Sequence, residues 1–373
     1  LISGDVFDRL IPSENTLALF GRFLADLRAA LSPEAHIVVL PGNHDSARRL
    51  AYAAELFWPL NIHLIERIDT EPAVVVEREG RRLAVWAVPF VSHSVFEAFR
   101  QRCGISMPAD SDAEETGRKR LSQQAYFEAI MESIRSRKSD YDCSVLAAHC
   151  YVAGAQISET ETSCIGGAEA VSAETFDGFD YVALGHLHRM QEIAPGTWYS
   201  GALLAMDFSE GEQQKGFLHV KLNPPETPCQ RTNREVTFLS LEPRKHIKRL
   251  KGTLQDLLER GKRLEQPDMD YIEAYLTDER QIFHAFDDLA SMYPNLLSLR
   301  WEIQDRRFLL QQSAAANEDG IPAGARTDPA LEMSSRDRCL ELFRSFAAYV
   351  CGHEVDPEIL AAFTELLDEE VQA

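Results

Sequence analysis

The sequence predicts an α/β protein in four parts. A layered α/β domain over 1–244 is followed by a small α+β domain over 245–312, a linker over 313–334 and a helical segment over 335–373. Three observations lead there. Short apolar runs ending in turn or polar residues alternate with helical patterns, which is the layout of stacked α/β layers. A strand–helix–strand–helix–strand pattern recurs on a smaller scale after residue 245. A stretch of small and polar residues then precedes two amphipathic helical patterns.

In chain order, the buried strands are HIVVLPGN (36–43), RLAVWAVPF (82–90), CSVLAAH (143–149), DYVALGH (180–186) and GFLHVKL (216–222). Segments near 14–30, 46–57, 120–138 and 172–177 read as helices or turns. Gln101 to Ser122 is polar, contains Gly and Pro, and is expected to be a surface loop. In the small domain, HIKRLKG (246–252) reads as a strand, and Thr253 caps a helix with Asp256 as its capping-box partner. Tyr271 to Leu276 alternates, with Ile272, Ala274 and Leu276 on one face and Tyr271, Glu273 and Tyr275 on the other. Gln281 to Tyr293 reads as a helix and 296–303 as a third strand.

SAAANEDGIPAGARTDPALEMS (313–334) has the composition of a flexible linker. Beyond it, Leu340, Phe343, Ala347 and Val350 form one helical stripe. Ile359, Leu360, Phe363, Leu366 and Leu367 form another, behind Asp356 as cap and Pro357 in the first turn. Such a hairpin has no core of its own. Phe343, Phe363 and Leu367 are therefore the candidate contacts to a partner.

Composition narrows the function classes. The net charge of −21 argues against a protein that coats DNA by charge alone, because a polyanion needs cations to neutralise it. Bound divalent metals or a partner protein can supply that charge at a site. Gly352 to Ala373 holds seven acidic residues and no Lys or Arg, as a solvated acidic face would. Cys103, Cys143, Cys150, Cys164, Cys229, Cys339 and Cys351 are odd in number and include no CxxC. They are expected to be reduced thiols in a cytoplasmic protein. No apolar run reaches the roughly 18 residues of a membrane span. The chain opens on Leu1 inside what reads as a strand end, so it is expected to begin downstream of the natural start.

Four segments carry the chemistry: GDVFD (4–8), GNHD (42–45), AAH (147–149) and GHLH (185–188). Each sits at the C-terminal tip of a strand, where open α/β sheets gather ligand sites. They offer Asp5, Asn43, His149, His186 and His188 as metal ligands, a carboxylate–amide–imidazole set without thiolate that suits Mn²⁺, Fe or Zn²⁺. His186 and His188 are two apart, so on an extended segment both face one cluster. Gly4, Gly42 and Gly185 precede ligands and permit close backbone approach. His44 is then free to act on a phosphate or leaving oxygen, with Asp45 orienting it. Arg9, Arg48, Arg49 and Arg189 flank the motifs and are candidate contacts to DNA phosphates.

The order GDVFD, GNHD, AAH, GHLH resembles the calcineurin-like metallophosphoesterases, whose fold is a β-sandwich flanked by helices. Within that superfamily VVLPGNHDS, DYVALGHLHR and YSGALLAMDFSEGEQQKGFLHV are similar to SbcD-type nuclease subunits. The resemblance is strong over 1–222 and weaker beyond. It implies that Asp5 bridges two metals and that Asn43, His149 and His186 hold the second. It also implies that His188 holds the first and that His44 is the catalytic histidine. It further implies an Mn²⁺-dependent 3′→5′ exonuclease and endonuclease of DNA, dimeric, in complex with an SbcC-type coiled-coil ATPase. The family's first motif, Asp-x-His, would lie some tens of residues before Gly4, so this chain is expected to lack part of the first metal site and to be impaired in activity. Two other functions compete with the nuclease. One is a phosphoesterase acting on a cyclic nucleotide or phosphoprotein, and the other is a scaffold with an incomplete site.

Overall fold

The computed structural model describes residues 1–105, 122–158, 161, 170–223, 232–264, 268–280 and 282–302, together with Leu340, Phe343, Arg344, Ile359, Leu360, Phe363 and Thr364. The chain divides into two compact units, Leu1–Trp301 and Glu302–Ala373.

The first unit opens with three parallel strands in the order β1 (Ile2–Ser3), β2 (Ile37–Leu40) and β3 (Ile62–Leu64). Between β1 and β2 runs α1 (Glu14–Ala30), started by Ser13, whose hydroxyl accepts the Thr16 N–H. The helical pattern near 46–57 resolves into two single turns, α2 (Ala47–Leu50) and α3 (Ala54–Phe57), separated by Ala53 in the left-handed region. That residue interrupts the ladder of one continuous helix.

A six-stranded sheet faces this small one, in the order β4 (Val74–Arg78), β5 (Arg81–Val88), β6 (Cys143–His149), β7 (Tyr181–Gly185), β9 (Thr197–Tyr199) and β8 (Gln191–Ala194). β5, β6, β7 and β9 run parallel, and the edge strands β4 and β8 are antiparallel to their neighbours. β3, β4 and the β8–β9 pair are short elements that hydrophobic pattern alone does not flag. Two further strands, β10 (Gly216–Asn223) and β11 (Asn233–Ser240), form an antiparallel ribbon.

The core shows why alternating apolar strands produce layers. Val38 and Leu40 of β2 pack with Val85, Ala87, Val145 and Ala147, and Val220, Leu222 and Val236 of the ribbon close that cluster. The opposite side chains, Ile37 and Val39, pack outward on Leu24 of α1 and Leu50 of α2. On the far face, Trp86, Val88, Leu146 and Ala148 pack against α4 (His93–Cys103) and α5 (Gln123–Lys138) through Phe96, Phe99, Phe127, Ile130 and Ile134. Helix, sheet, sheet and helix are thus stacked because successive side chains of each strand point to opposite faces. The helix α4 takes in the start of the segment expected to be a loop, since Ser92 caps it and Gly104 ends it in the left-handed region. The rest of that loop, 106–121, lies outside the described residues.

Residues 245–301 fall within the first unit and carry a sheet of their own. It contains β12 (Ile247–Gly252), β13 (Tyr271–Leu276) and β14 (Leu296–Trp301), all parallel. The helices α6 (Leu254–Lys262) and α7 (Ala285–Met292) connect them. Thr253 and Asp256 form the reciprocal capping box that the sequence predicts. The helix α7 begins later than Gln281, behind His284 in the left-handed region. Glu273, expected on the polar face of β13, is buried and held by Arg249.

In the second unit, Leu340, Phe343, Arg344, Ile359, Leu360, Phe363 and Thr364 are helical. The Phe343 and Phe363 rings stack with centroids 3.9 Å apart. The Thr364 hydroxyl donates to the Leu360 carbonyl one turn back. Leu367 and the linker lie outside the described residues.

Candidate metal centre

The strands β2, β6 and β7 run parallel to β1 or to one another, so their C-terminal tips bring GNHD, His149 and GHLH to the tip of β1. Close backbone approach lets the tips meet. A Cβ on Gly185 would lie 1.7 Å from the Ser3 carbonyl oxygen, and one on Gly42 would lie 2.1 Å from Asp5 Oδ1. Only a residue without a side chain fits at either position.

Asp5, His149 and His186 offer ligand atoms that all lie within 4.8 Å of one another. Asn43 joins them, its Oδ1 lying 3.0 Å from His149 Nε2 and 3.1 Å from His186 Nδ1. Asp5 Oδ2 is 3.2 Å from the same His149 Nε2. The other His149 nitrogen, Nδ1, is 2.8 Å from the Ser3 carbonyl oxygen, which can only accept. Nδ1 therefore carries the hydrogen and donates it. Nε2 is then the His149 nitrogen that faces the Asn43 and Asp5 oxygens. A carboxylate oxygen, an amide oxygen and two imidazole nitrogens gathered in this way fit a divalent metal ion.

Burial pushes His186 down to about 4, helped by the neighbouring His149, so its ring favours the neutral form that can ligate a metal. Burial raises the Asp5 carboxyl, but hydrogen bonding and charge from His149, with the His44 amide, outweigh it and leave Asp5 below its usual value. The His44 N–H donates to Asp5 Oδ1 at 3.0 Å. Asp5 at φ 50° and His186 at φ 105° are both in the left-handed region that non-glycine residues seldom adopt. Strain of this kind collects at functional sites.

The turn at His186 changes the expectation for the GHLH segment. β7 ends at Gly185, so His186 and His188 are not on extended backbone and do not point together by strand alternation. His186 joins the cluster. His188 is held by carboxylates, its Nδ1 2.8 Å from Glu210 Oε1 and its amide donating to Glu161 Oε1.

Asp45 also takes a place other than the expected one. Its carboxylate accepts the Val6 N–H at 3.0 Å, the Phe7 N–H at 2.9 Å and the Gly42 N–H at 2.9 Å. With three backbone donors satisfied and the side chain buried, Asp45 ties the GDVFD turn to the GNHD turn and does not orient His44. The His44 ring instead donates from Nδ1 to the Asp8 carbonyl at 3.0 Å, which leaves Nε2 as the ring nitrogen on its other side. His44 and Asn43 line a groove with Asp8, Arg9, Leu10 and Ile11.

The candidate DNA contacts sit near this groove or beside the motifs. Arg9 pairs with Asp8 at 2.9 Å, and Arg49 donates to the Leu10 carbonyl at 2.8 Å, beside the same groove. Arg48 lies on α2, and Arg189 directly follows His188.

Sequence reasoning missed Glu161, Glu210, Lys215 and the Ser3 carbonyl. A buried charged residue is the signal that marks the first three, and burial is not readable from one sequence.

The family model described as calcineurin-like phosphoesterase matches residues 1–190. The chain is also 27% identical over 309 residues to the SbcD component of the nuclease SbcCD from Staphylococcus epidermidis, across 80% of this chain and 73% of that protein.

Proposed function

Because the chain belongs to the calcineurin-like phosphoesterase family, we propose that it is a metal-dependent DNA nuclease of the SbcD type, hydrolysing phosphodiester bonds at DNA ends and hairpins. The convergence of Asp5, Asn43, His149 and His186 on one point carries this reading. The likeness to a component of an SbcCD nuclease supports DNA as substrate and an SbcC-type ATPase as partner.

In this reading Asp5, Asn43, His149, His186 and His188 would hold the divalent metal. Mn²⁺ suits the donor set. Divalent metal bound there would activate a water and neutralise charge developing on the phosphoryl oxygens. The chain's own residues do the rest. Ser3 fixes the His149 tautomer through its carbonyl. His44, with Nδ1 committed to Asp8, presents Nε2 to the phosphate or the leaving oxygen. Arg9, Arg48, Arg49 and Arg189 are cations beside the motifs and serve as phosphate contacts that set the DNA's position. The stacked Phe343 and Phe363, with Leu367, form the docking element for the ATPase, and residues 245–312 act as a capping domain. Free thiols at Cys103, Cys143 and Cys150 suit a reducing cytoplasm. Among the described residues no helix is long and apolar enough to cross a membrane.

The test is cleavage of end-labelled linear and hairpin duplex DNA with Mn²⁺, beside a cyclic nucleotide and a phosphopeptide, for the wild type, His149→Ala and His186→Ala. DNA cleavage lost in both variants supports the reading. Turnover of the cyclic nucleotide or phosphopeptide alone would assign another substrate class. Cleavage of DNA untouched by either substitution would remove the metal assignment.

A further inference from the structure

Glu210 is fully buried and Lys215 nearly so, in the segment between β9 and β10, outside the four ligand-bearing motifs. Every polar atom of this pair is engaged. Glu210 Oε1 accepts from His188 Nδ1 at 2.8 Å, and Oε2 accepts from Lys215 Nζ at 2.8 Å and from the Met206 N–H at 3.1 Å. Lys215 Nζ spends its other two hydrogens on the His188 carbonyl at 2.8 Å and Gln213 Oε1 at 3.0 Å. His188 is thus gripped twice, by its ring and by its main chain, through two buried residues of opposite charge.

We infer that Glu210 and Lys215 are positioning residues that set the tautomer and orientation of His188 for metal binding. A carboxylate can only accept, so Nδ1 carries the hydrogen and Nε2 is the ring nitrogen left for an ion. Carboxylates behind ligating histidines act in this way, and their removal costs roughly 10- to 100-fold in metal affinity. The buried lysine balances the carboxylate, which could not otherwise remain charged out of water. The inference rests on the metal centre proposed above. It adds two residues that belong to none of the four motifs.

The test is an Mn²⁺ titration of wild type, Glu210→Gln, the double variant Glu210→Leu/Lys215→Met and His188→Ala, with nitrogen NMR of the His188 ring in the metal-free proteins. The double variant exchanges an ion pair for apolar groups of similar size, which folded proteins often tolerate. Expected are a wild-type His188 with hydrogen on Nδ1, a mixture of tautomers in Glu210→Gln, and Mn²⁺ binding weaker by roughly 10- to 100-fold in both Glu210 variants. A folded double variant that binds Mn²⁺ like wild type, while His188→Ala does not, overturns the clamp and leaves the metal centre standing. A wild type that binds no Mn²⁺ overturns the metal centre itself. An Nδ1-protonated His188 that persists in Glu210→Gln also overturns the clamp, whatever the titration gives.

Discussion

Replacing Asp45 by asparagine tests whether one buried carboxylate holds two of the ligand-bearing turns together. The wild-type carboxylate accepts three backbone hydrogens, two on Oδ2 from Val6 and Gly42 and one on Oδ1 from Phe7. Asparagine has a single oxygen. Set in the place of Oδ2 it keeps the Val6 and Gly42 bonds, now without charge assistance, and turns its NH₂ against the Phe7 N–H. One charge-assisted bond worth roughly 1.5–3 kcal/mol disappears, and a buried donor is left unpaired at a further cost of about 1–3 kcal/mol. Weakening of the other two bonds adds to this, so a loss of about 4 kcal/mol is expected. Urea unfolding reads the total. Amide hydrogen exchange at Val6, Phe7 and Gly42 reads it locally, with the Phe7 amide losing the most protection. Mn²⁺ affinity falls as well, because Asp5 and Asn43 lie on the two turns that drift apart. A variant within about 1 kcal/mol of wild type, with the Phe7 amide still protected, would refute the account of Asp45 as a tie between turns.

Other substitutions separate the remaining roles. His44→Ala should retain bound Mn²⁺ and lose roughly 10²- to 10⁴-fold in kcat, the usual worth of a general acid or base; metal analysis and single-turnover cleavage check both, and a metal-free variant would move His44 among the ligands. Burial raises the Glu210 carboxyl, but its bonds to His188, Lys215 and the Met206 amide bring it down from 4.5 to about 2. A depressed carboxyl stabilises the fold above about pH 4.5 and loses that contribution as pH falls toward 2, so metal-free wild type should weaken across this window. Glu210→Gln should show a flatter profile in urea titrations, and a parallel profile would contradict the assignment. Phe363→Asp should remove co-purification with a coiled-coil ATPase and leave Mn²⁺ binding by the first unit unchanged; a complex that survives the substitution locates the docking element elsewhere.

Much of the fold was legible in the sequence because strands announce themselves by what they bury. Alternating apolar residues in β2, β5 and β6 serve two cores at once, and this pattern is local. The GDVFD, GNHD, AAH and GHLH tips were legible for a related reason. They place ligand-type side chains at strand ends, three of the four beside a glycine, and parallel strands deliver their C-terminal ends to one edge of the sheet. The same local reasoning could not say which way each side chain turns. His186 sits at φ 105°, outside strand geometry, and this alone undoes the two-residue spacing argument that paired it with His188. Asp45 is next to His44 in sequence, yet its carboxylate accepts from the Val6 and Phe7 amides, 39 and 38 residues away, because the fold brings that turn against it. Glu210 and Lys215 lie outside the four ligand-bearing motifs, in a stretch that resembles SbcD-type subunits, but in one dimension nothing sets these two charges apart. Only the packed structure buries them behind His188, where each charge must find its partner because water cannot reach it.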